Sequence, residues 1–373
     1  MTSLGWIAPV VFDKLKGRQI GMDKFRIDSH KLIFHPRRVS DWLEGRLIYP
    51  IYAEIALARA CNHRCVFCSM DFMGYRPVFL DADLLKTRIA EMARLGIKSV
   101  MYAGEGEPLI HPRVAEIVKH TKSVGIDTAI TTNGVLLRPG LSEELLPHVS
   151  WIKVSINAGS PQTYARIHRT KAADFETVLR NMAHAARFKA RRGLKTALGM
   201  QMVLLPENRR EAVALARRAK DAGMDYLVIK PYSQHPLSKT RKYGRVSYVR
   251  DYRLAERLAA LNDGSFHVVF RSDTMQRWDA KAKGYDKCHG LPFWTYIDAS
   301  GDVWGCSRFI GDKNFLYGNI RHRRFREIWE GAARLRSLRR AFDMRQCNFN
   351  CRLEEINRYL WSLKHAPEHV NFI

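Results

Sequence analysis

The chain reads as an α/β protein: a parallel sheet with helices outside it, followed by a small cysteine-bearing unit of one β-hairpin plus a helix. Three observations predict this. Strand-length apolar runs alternate with helical apolar faces from about residue 51 to residue 231, and glycines stand where those helices should stop. The seven cysteines split into Cys61, Cys65, Cys68 and Cys288, Cys306, Cys347, Cys351.

Taken in order, the first apolar run, 52–57, is a strand. Leu84, Ile89, Met92 and Leu95 form one helical face that ends at Gly96, and 98–103 is a short buried strand. The unit then recurs. The spacing predicts a helix over 114–124 closed by Gly125, strands over 127–131 and 151–157, a helix over 175–192, a strand over 196–204, a helix over 209–222 and a strand over 226–231. That makes six β/α units, the pattern of a parallel sheet. Beyond them, Tyr252, Leu254, Leu258 and Leu261 have helical spacing, so 233–284 reads as a helical bridge. Residues 293–297 and 302–305 flank Asp298-Ala-Ser-Gly301 and predict a hairpin. The tail carries Trp361 and ends in Val370-Asn-Phe-Ile373, aromatics expected to pack on the body. The boundaries expected are an extension at 1–50, the sheet domain at 51–232, the bridge at 233–284, and the cysteine domain with its tail at 285–373.

With 46% hydrophobic and 27% charged residues over 373 positions, the chain can bury a core of enzyme size and is unlike disordered sequence. Residues 1–19 mix short apolar runs with Asp13, Lys14, Lys16 and Arg18, unlike a secretory signal, and no apolar stretch reaches bilayer length. A cytoplasmic location without membrane attachment is the expectation. The net charge of +25 favours an anionic partner, and a phosphorylated or nucleotide-linked small molecule is preferred over nucleic acid.

An odd number of clustered cysteines argues for metal or redox chemistry rather than disulfides. Cys61-Asn-His-Arg-Cys65-Val-Phe-Cys68 places three thiols in one loop. Three thiolates on a [4Fe-4S] cube leave one iron open to a small molecule. Zinc is the competing occupant, and it wants four ligands, with His63 the other donor at hand. The four later thiols suit either zinc or a second cube by spacing alone.

Cys-x3-Cys-x-aromatic-Cys after a strand resembles the signature of the radical S-adenosylmethionine (SAM) superfamily. The resemblance implies a partial (β/α)6 barrel with its active groups at the C-terminal strand ends. It also implies a [4Fe-4S] cluster on Cys61, Cys65 and Cys68 that binds SAM and cleaves it to a 5′-deoxyadenosyl radical. An electron donor such as flavodoxin or ferredoxin is implied in turn. Gly104-Glu105-Gly106-Glu107-Pro108 is similar to the family's Gly-Gly-Glu-Pro motif, with Glu105 where the first Gly is usual. By that match Glu107, with Gly106 beside it, meets the SAM amino group. Asn133, Ser155 and Asn157 resemble positions that hold the ribose and carboxylate, and Phe67 and Gln201 join this cofactor-binding set.

Cys288, the twelve residues after it, Gly301, four more residues and Cys306 resemble the opening of SPASM and twitch domains. Tyr317-Gly-Asn-Ile320 with Phe325-Arg-Glu-Ile-Trp329 resembles the segment that follows. Only four thiols lie beyond residue 68, so one auxiliary [4Fe-4S] cluster on Cys288, Cys306, Cys347 and Cys351 is implied. A fully ligated cube is suited to electron transfer, which favours oxidation of a sugar-like or nucleotide-linked metabolite over epimerisation or dehydration. Lys230, Tyr232, His235 and Glu105 are the candidate bases. Maturation of a peptide side chain, RNA modification and a zinc-stabilised binding module are the rival readings.

Overall fold

The computed structural model describes residues 27, 29–340, 344–347 and 350–372. Most of the N-terminal extension, including the stretch read as lacking a secretory signal, and Ile373 lie outside the described residues.

The strands are β1 (Tyr52–Ile55), β2 (Ser99–Tyr102), β3 (Asp127–Thr132), β4 (Trp151–Ser155), β5 (Ala197–Val203), β6 (Tyr226–Lys230), β7 (His267–Phe270), β8 (Trp294–Ile297), β9 (Asp302–Trp304) and β10 (Leu316–Asn319). They form one sheet in the order β10-β9-β8-β1-β2-β3-β4-β5-β6-β7. From β1 to β7 every pairing is parallel. The two ends of the order do not pair, so the barrel is partial.

Two features differ from the sequence reading. The stretch 233–284 is not wholly helical, because 267–270 adds β7 as a seventh parallel strand beside β6. The C-terminal hairpin is also no separate body. β8 pairs in parallel with β1, with Tyr52 opposite Trp294 and Glu54 opposite Tyr296, so the cysteine domain continues the barrel sheet. β9 and β10 then run antiparallel at that edge.

The helices are α1 (Pro36–Leu43), α2 (Ala82–Arg94), α3 (Val114–Ser123), α4 (Pro139–Leu145), α5 (Pro161–His168), α6 (Ala173–Arg191), α7 (Ala212–Asp221), α8 (Tyr252–Ala259), α9 (Ser272–Ala280), α10 (Phe325–Glu330), α11 (Ala332–Arg339) and α12 (Glu354–Lys364). Their starts are chemical. The Asp81 side chain accepts from Leu84 N at 2.8 Å, and Leu85, Ile89 and Met92 then bury one face of α2 against the sheet. Ser160 followed by Pro161 starts α5 in the same way. α1 packs through Val39 into a small core with Ile48, Phe293 and Leu360, which ties the extension to the tail helix. Trp361 packs beside Tyr285, Met344 and Cys347, but Val370 and Phe372 are exposed, so the last residues do not pack as expected. Among the described residues no helix is long and apolar enough to cross a membrane.

Candidate functional site

The loop after β1 carries the first three thiols and is tied to the end of α5. Arg64 N donates to His168 O at 3.1 Å, and Val66 N donates to Ile167 O at 2.9 Å. The turn closes with Cys68 N on Cys65 O at 3.1 Å. Cys65 Sγ lies 3.3 Å from His168 Nδ1, and the His168 Nε2 faces Ile156 O at 2.9 Å. Burial and the nearby His63 lower the His168 pKa to about 3. Burial pushes the Cys61 thiol up to about 12 and holds Cys65 and Cys68 above the usual thiol range. All seven cysteines are unbridged. Three half-buried thiols in one loop, raised by their surroundings and by one another, fit a metal centre that supplies the positive charge their thiolates need. His63, Cys65 and His168 bring donor atoms within 4.8 Å of each other, and with Nε2 on Ile156 O the His168 Nδ1 is turned to Cys65, so the two imidazoles lie beside the thiol loop while the loop itself supplies three cysteines.

The second strand end explains why a glycine precedes Glu107. A Cβ at Gly106 would lie 2.3 Å from Ala60 O and 2.5 Å from Ala58 O, so only glycine fits there. Glu107 is buried, and its carboxylate accepts from Thr132 Oγ1 at 2.5 Å, Asn133 N at 2.7 Å and Leu109 N at 3.1 Å. Burial nonetheless raises its pKa. Glu107 thus joins the ends of β2 and β3, and Asn133 Nδ2 reaches Asn62 Oδ1 in the cysteine loop at 2.6 Å.

Glu105, where a glycine is usual, has a task of its own. Its carboxylate accepts from Arg59 Nε at 2.5 Å and from Ala299 N at 2.7 Å, while Arg59 Nη2 donates to Ser300 Oγ at 2.9 Å. The substituted residue therefore fastens the β8–β9 turn to the barrel. With those donors on it, Glu105 is placed as a positioning group rather than as a base.

Ser155, at the end of β4, accepts from Asn157 Nδ2 at 2.9 Å. Asn157 is wholly buried in left-handed backbone at φ 50°, and its Oδ1 accepts from Val203 N at 2.6 Å. Asn157 thereby locks β4 to β5. Phe67 packs edge-on to His168, with ring centres 5.8 Å apart.

The four later thiols converge. Cys347 and Cys351 share a hydrogen bond, and Cys288, Cys306 and Cys351 perturb one another. Asn357 Nδ2 on α12 lies 3.4 Å from Cys288 Sγ, and Leu353 N lies 3.4 Å from Cys351 Sγ. Beneath them Lys283 Nζ and Tyr285 OH both donate to the buried Glu354, at 2.5 and 2.8 Å. Four thiols with backbone and amide donors aimed at sulfur fit a fully ligated cube.

A cavity of about 410 Å³ opens between the inner face of the sheet and this second thiol group. Ser69 and Met70, beside Cys68, line one side, and Cys306 and Cys351 line the other. Gln201, Lys230 and His235 also face it. Lys230 has its pKa lowered to about 7 by burial and by Lys153, Arg271 and Arg352. His235 stacks on Phe72 at 4.4 Å and its Nδ1 accepts from Leu237 N at 3.1 Å, so its neutral ring presents Nε2–H. Tyr232 is placed away from the cavity lining, with its hydroxyl on Gln234 Oε1 at 3.1 Å.

Sequence reasoning missed Glu54, Lys153, Arg271, Arg352 and His168. A charged residue inside an otherwise apolar strand was the available signal for Glu54 and Lys153, since β1 and β4 read Tyr-Ala-Glu-Ile and Trp-Ile-Lys-Val-Ser.

Comparison with known proteins agrees with this arrangement. Residues 55–219 match the radical SAM superfamily, and residues 288–352 match SPASM, an iron-sulfur cluster-binding domain. A GTP 3′,8-cyclase of Chlorobaculum tepidum is 30% identical over 55% of this chain, a match spanning 61% of that relative, under two thirds of its length. An AdoMet-dependent heme synthase of Methanosarcina barkeri is 27% identical over 76% of this chain and 83% of the relative. The crystal structure of Streptococcus suis SuiB superposes with a TM-score of 0.64 at 15% identity, covering 81% of this chain and 70% of that one, a likeness of fold.

Proposed function

The chain belongs to the radical SAM superfamily and carries a SPASM domain near its C-terminal end, and from that premise we propose that it oxidises a hydroxyl carbon of a sugar-like or nucleotide-linked metabolite to a carbonyl. When bound, the cluster on Cys61, Cys65 and Cys68 with SAM supplies a radical that takes one hydrogen atom, and the cluster on Cys288, Cys306, Cys347 and Cys351 takes one electron, leaving one proton for a base on the protein.

The observation that carries this reading is the cavity, which touches the neighbourhood of Cys68 and two thiols of the second group at once. A molecule held there faces both redox partners. Lys230 is the proton acceptor of this reading, since it lines the cavity and its pKa near 7 leaves an unprotonated amine in neutral solution. Ser155 and Asn133 orient the SAM end, and Glu107 receives its ammonium. The cyclase relative is named for a nucleotide, which favours a nucleotide-linked substrate over a peptide.

The test is anaerobic incubation of the cluster-loaded chain with SAM, a reductant and a panel of sugars, sugar phosphates and nucleotides. The expected outcome is 5′-deoxyadenosine together with a product lighter by two hydrogens. A product of unchanged mass would remove the oxidation.

A further inference from the structure

The lining of the cavity is strongly one-sided in charge. Lys153, Lys230, Arg271, Arg308 and Arg352 face it, and among the described residues Glu54 and Glu355 are the only carboxylates in its wall. Both carboxylates are committed: Glu54 to Arg352 at 2.5 Å and Glu355 to Arg277 at 2.6 Å. Neither Lys153 nor Lys230 has a carboxylate within 4.0 Å among the described residues. Lys153 lies within 5.3 Å of the Trp151 ring, and the aromatic layer of Trp151 and Tyr226 closes the barrel beneath it.

The register gives the two lysines different depths. Lys153 is opposite Gly199 on β5, while Lys230 is opposite Val203, further toward the C-terminal mouth. A half-buried lysine in an otherwise apolar strand, with other cations around it, is costly unless something anionic offsets it. Burial, Arg352 and Arg271 lower the Lys153 pKa to about 8, so its ammonium persists in neutral solution but is held less firmly than a free lysine's.

We infer that Lys153, with Arg271 beside it, anchors the phosphate end of the substrate deep in the barrel, leaving its hydroxyl carbon toward the mouth near Lys230. A phosphate ester or diphosphate carries about two negative charges near neutral pH, which matches this surplus better than a single carboxylate. The inference rests on the oxidase reading for the orientation of the substrate, but the anion site stands apart from turnover.

The test is calorimetric titration of the anaerobically cluster-loaded chain with inorganic pyrophosphate, and with malonate in a parallel arm, without SAM or reductant. Expected are millimolar or tighter pyrophosphate binding, weaker malonate binding, and a loss of about tenfold or more in Lys153→Met. Lys153→Arg should retain binding, and the surface control Lys119→Met should match the parent. Lys153→Met should also melt at or above the parent temperature, since a half-buried charge among other cations is removed, so lost binding cannot be ascribed to unfolding. Equal pyrophosphate affinity in the parent and Lys153→Met, no binding in the parent, or malonate binding as tight as pyrophosphate would each overturn the assignment. Pyrophosphate bound through Lys153 in a chain that never yields an oxidised product would sink the oxidase reading and leave this one standing.

Discussion

Lys230 has a folded pKa near 7 against an ordinary value of 10.5, so between those values the folded chain binds fewer protons than the unfolded one. Stability therefore rises with pH across that window, and below about 7 the half-buried charge weighs fully against folding. Lys230→Met is predicted to raise the melting temperature most below pH 7 and hardly at all near pH 10.5, and to remove the rise in oxidation rate through pH 7. Thermal melts and pH–rate profiles check the two halves separately. Glu105 gives a second residue-scale prediction. Glu105→Ala strands Arg59 and the Ala299 amide, and should cost about 1–3 kcal/mol in denaturant unfolding. The cysteines, and Glu107 between Gly106 and Pro108, were legible in the sequence because their spacing is itself the chemistry. The cationic lining was not, because Lys153, Arg271 and Arg352 lie far apart in the chain and only the sheet register with the closing cysteine loop brings them to one cavity.

At the scale of elements, the core strands were readable to within a residue or two because strands buried on both faces are nearly continuous apolar runs, as in β5, where every residue is buried. α4 and α5 were passed over although Pro139 and Ser160-Pro161 mark their starts, since each is under three turns and too short for a recurring apolar face to stand out. β7 was hidden for a similar reason: it is four residues long and half exposed on its own face. The C-terminal unit depends on α12, whose Glu354 holds Lys283 and Tyr285 beneath the second thiol group. Glu354→Ala leaves a buried ammonium without its partner and is predicted to destabilise the chain by about 3–5 kcal/mol, read by denaturant titration. It should also lower iron retention at Cys347 and Cys351 while sparing SAM cleavage.

For the whole molecule, the sulfur inventory sets the measurable total. The anaerobically reconstituted chain should hold about eight irons, falling to about four in Cys65→Ala and to about four in Cys351→Ala, with SAM cleavage lost in the first alone. Retention of about eight irons by Cys351→Ala would show that the later thiols do not hold a cluster. The +25 charge was legible as a preference for anions, but its location was not. Part of it lies in the cavity and part on outer faces such as the groove lined by Arg37, Arg38 and Lys98.

The parallel pairing of β8 with β1 has one more effect. Because backbone hydrogen bonds of a shared sheet join the two sulfur-bearing units, the gap between them has a set width rather than acting as a jaw that opens. Molecules are then sorted by whether they fit that width.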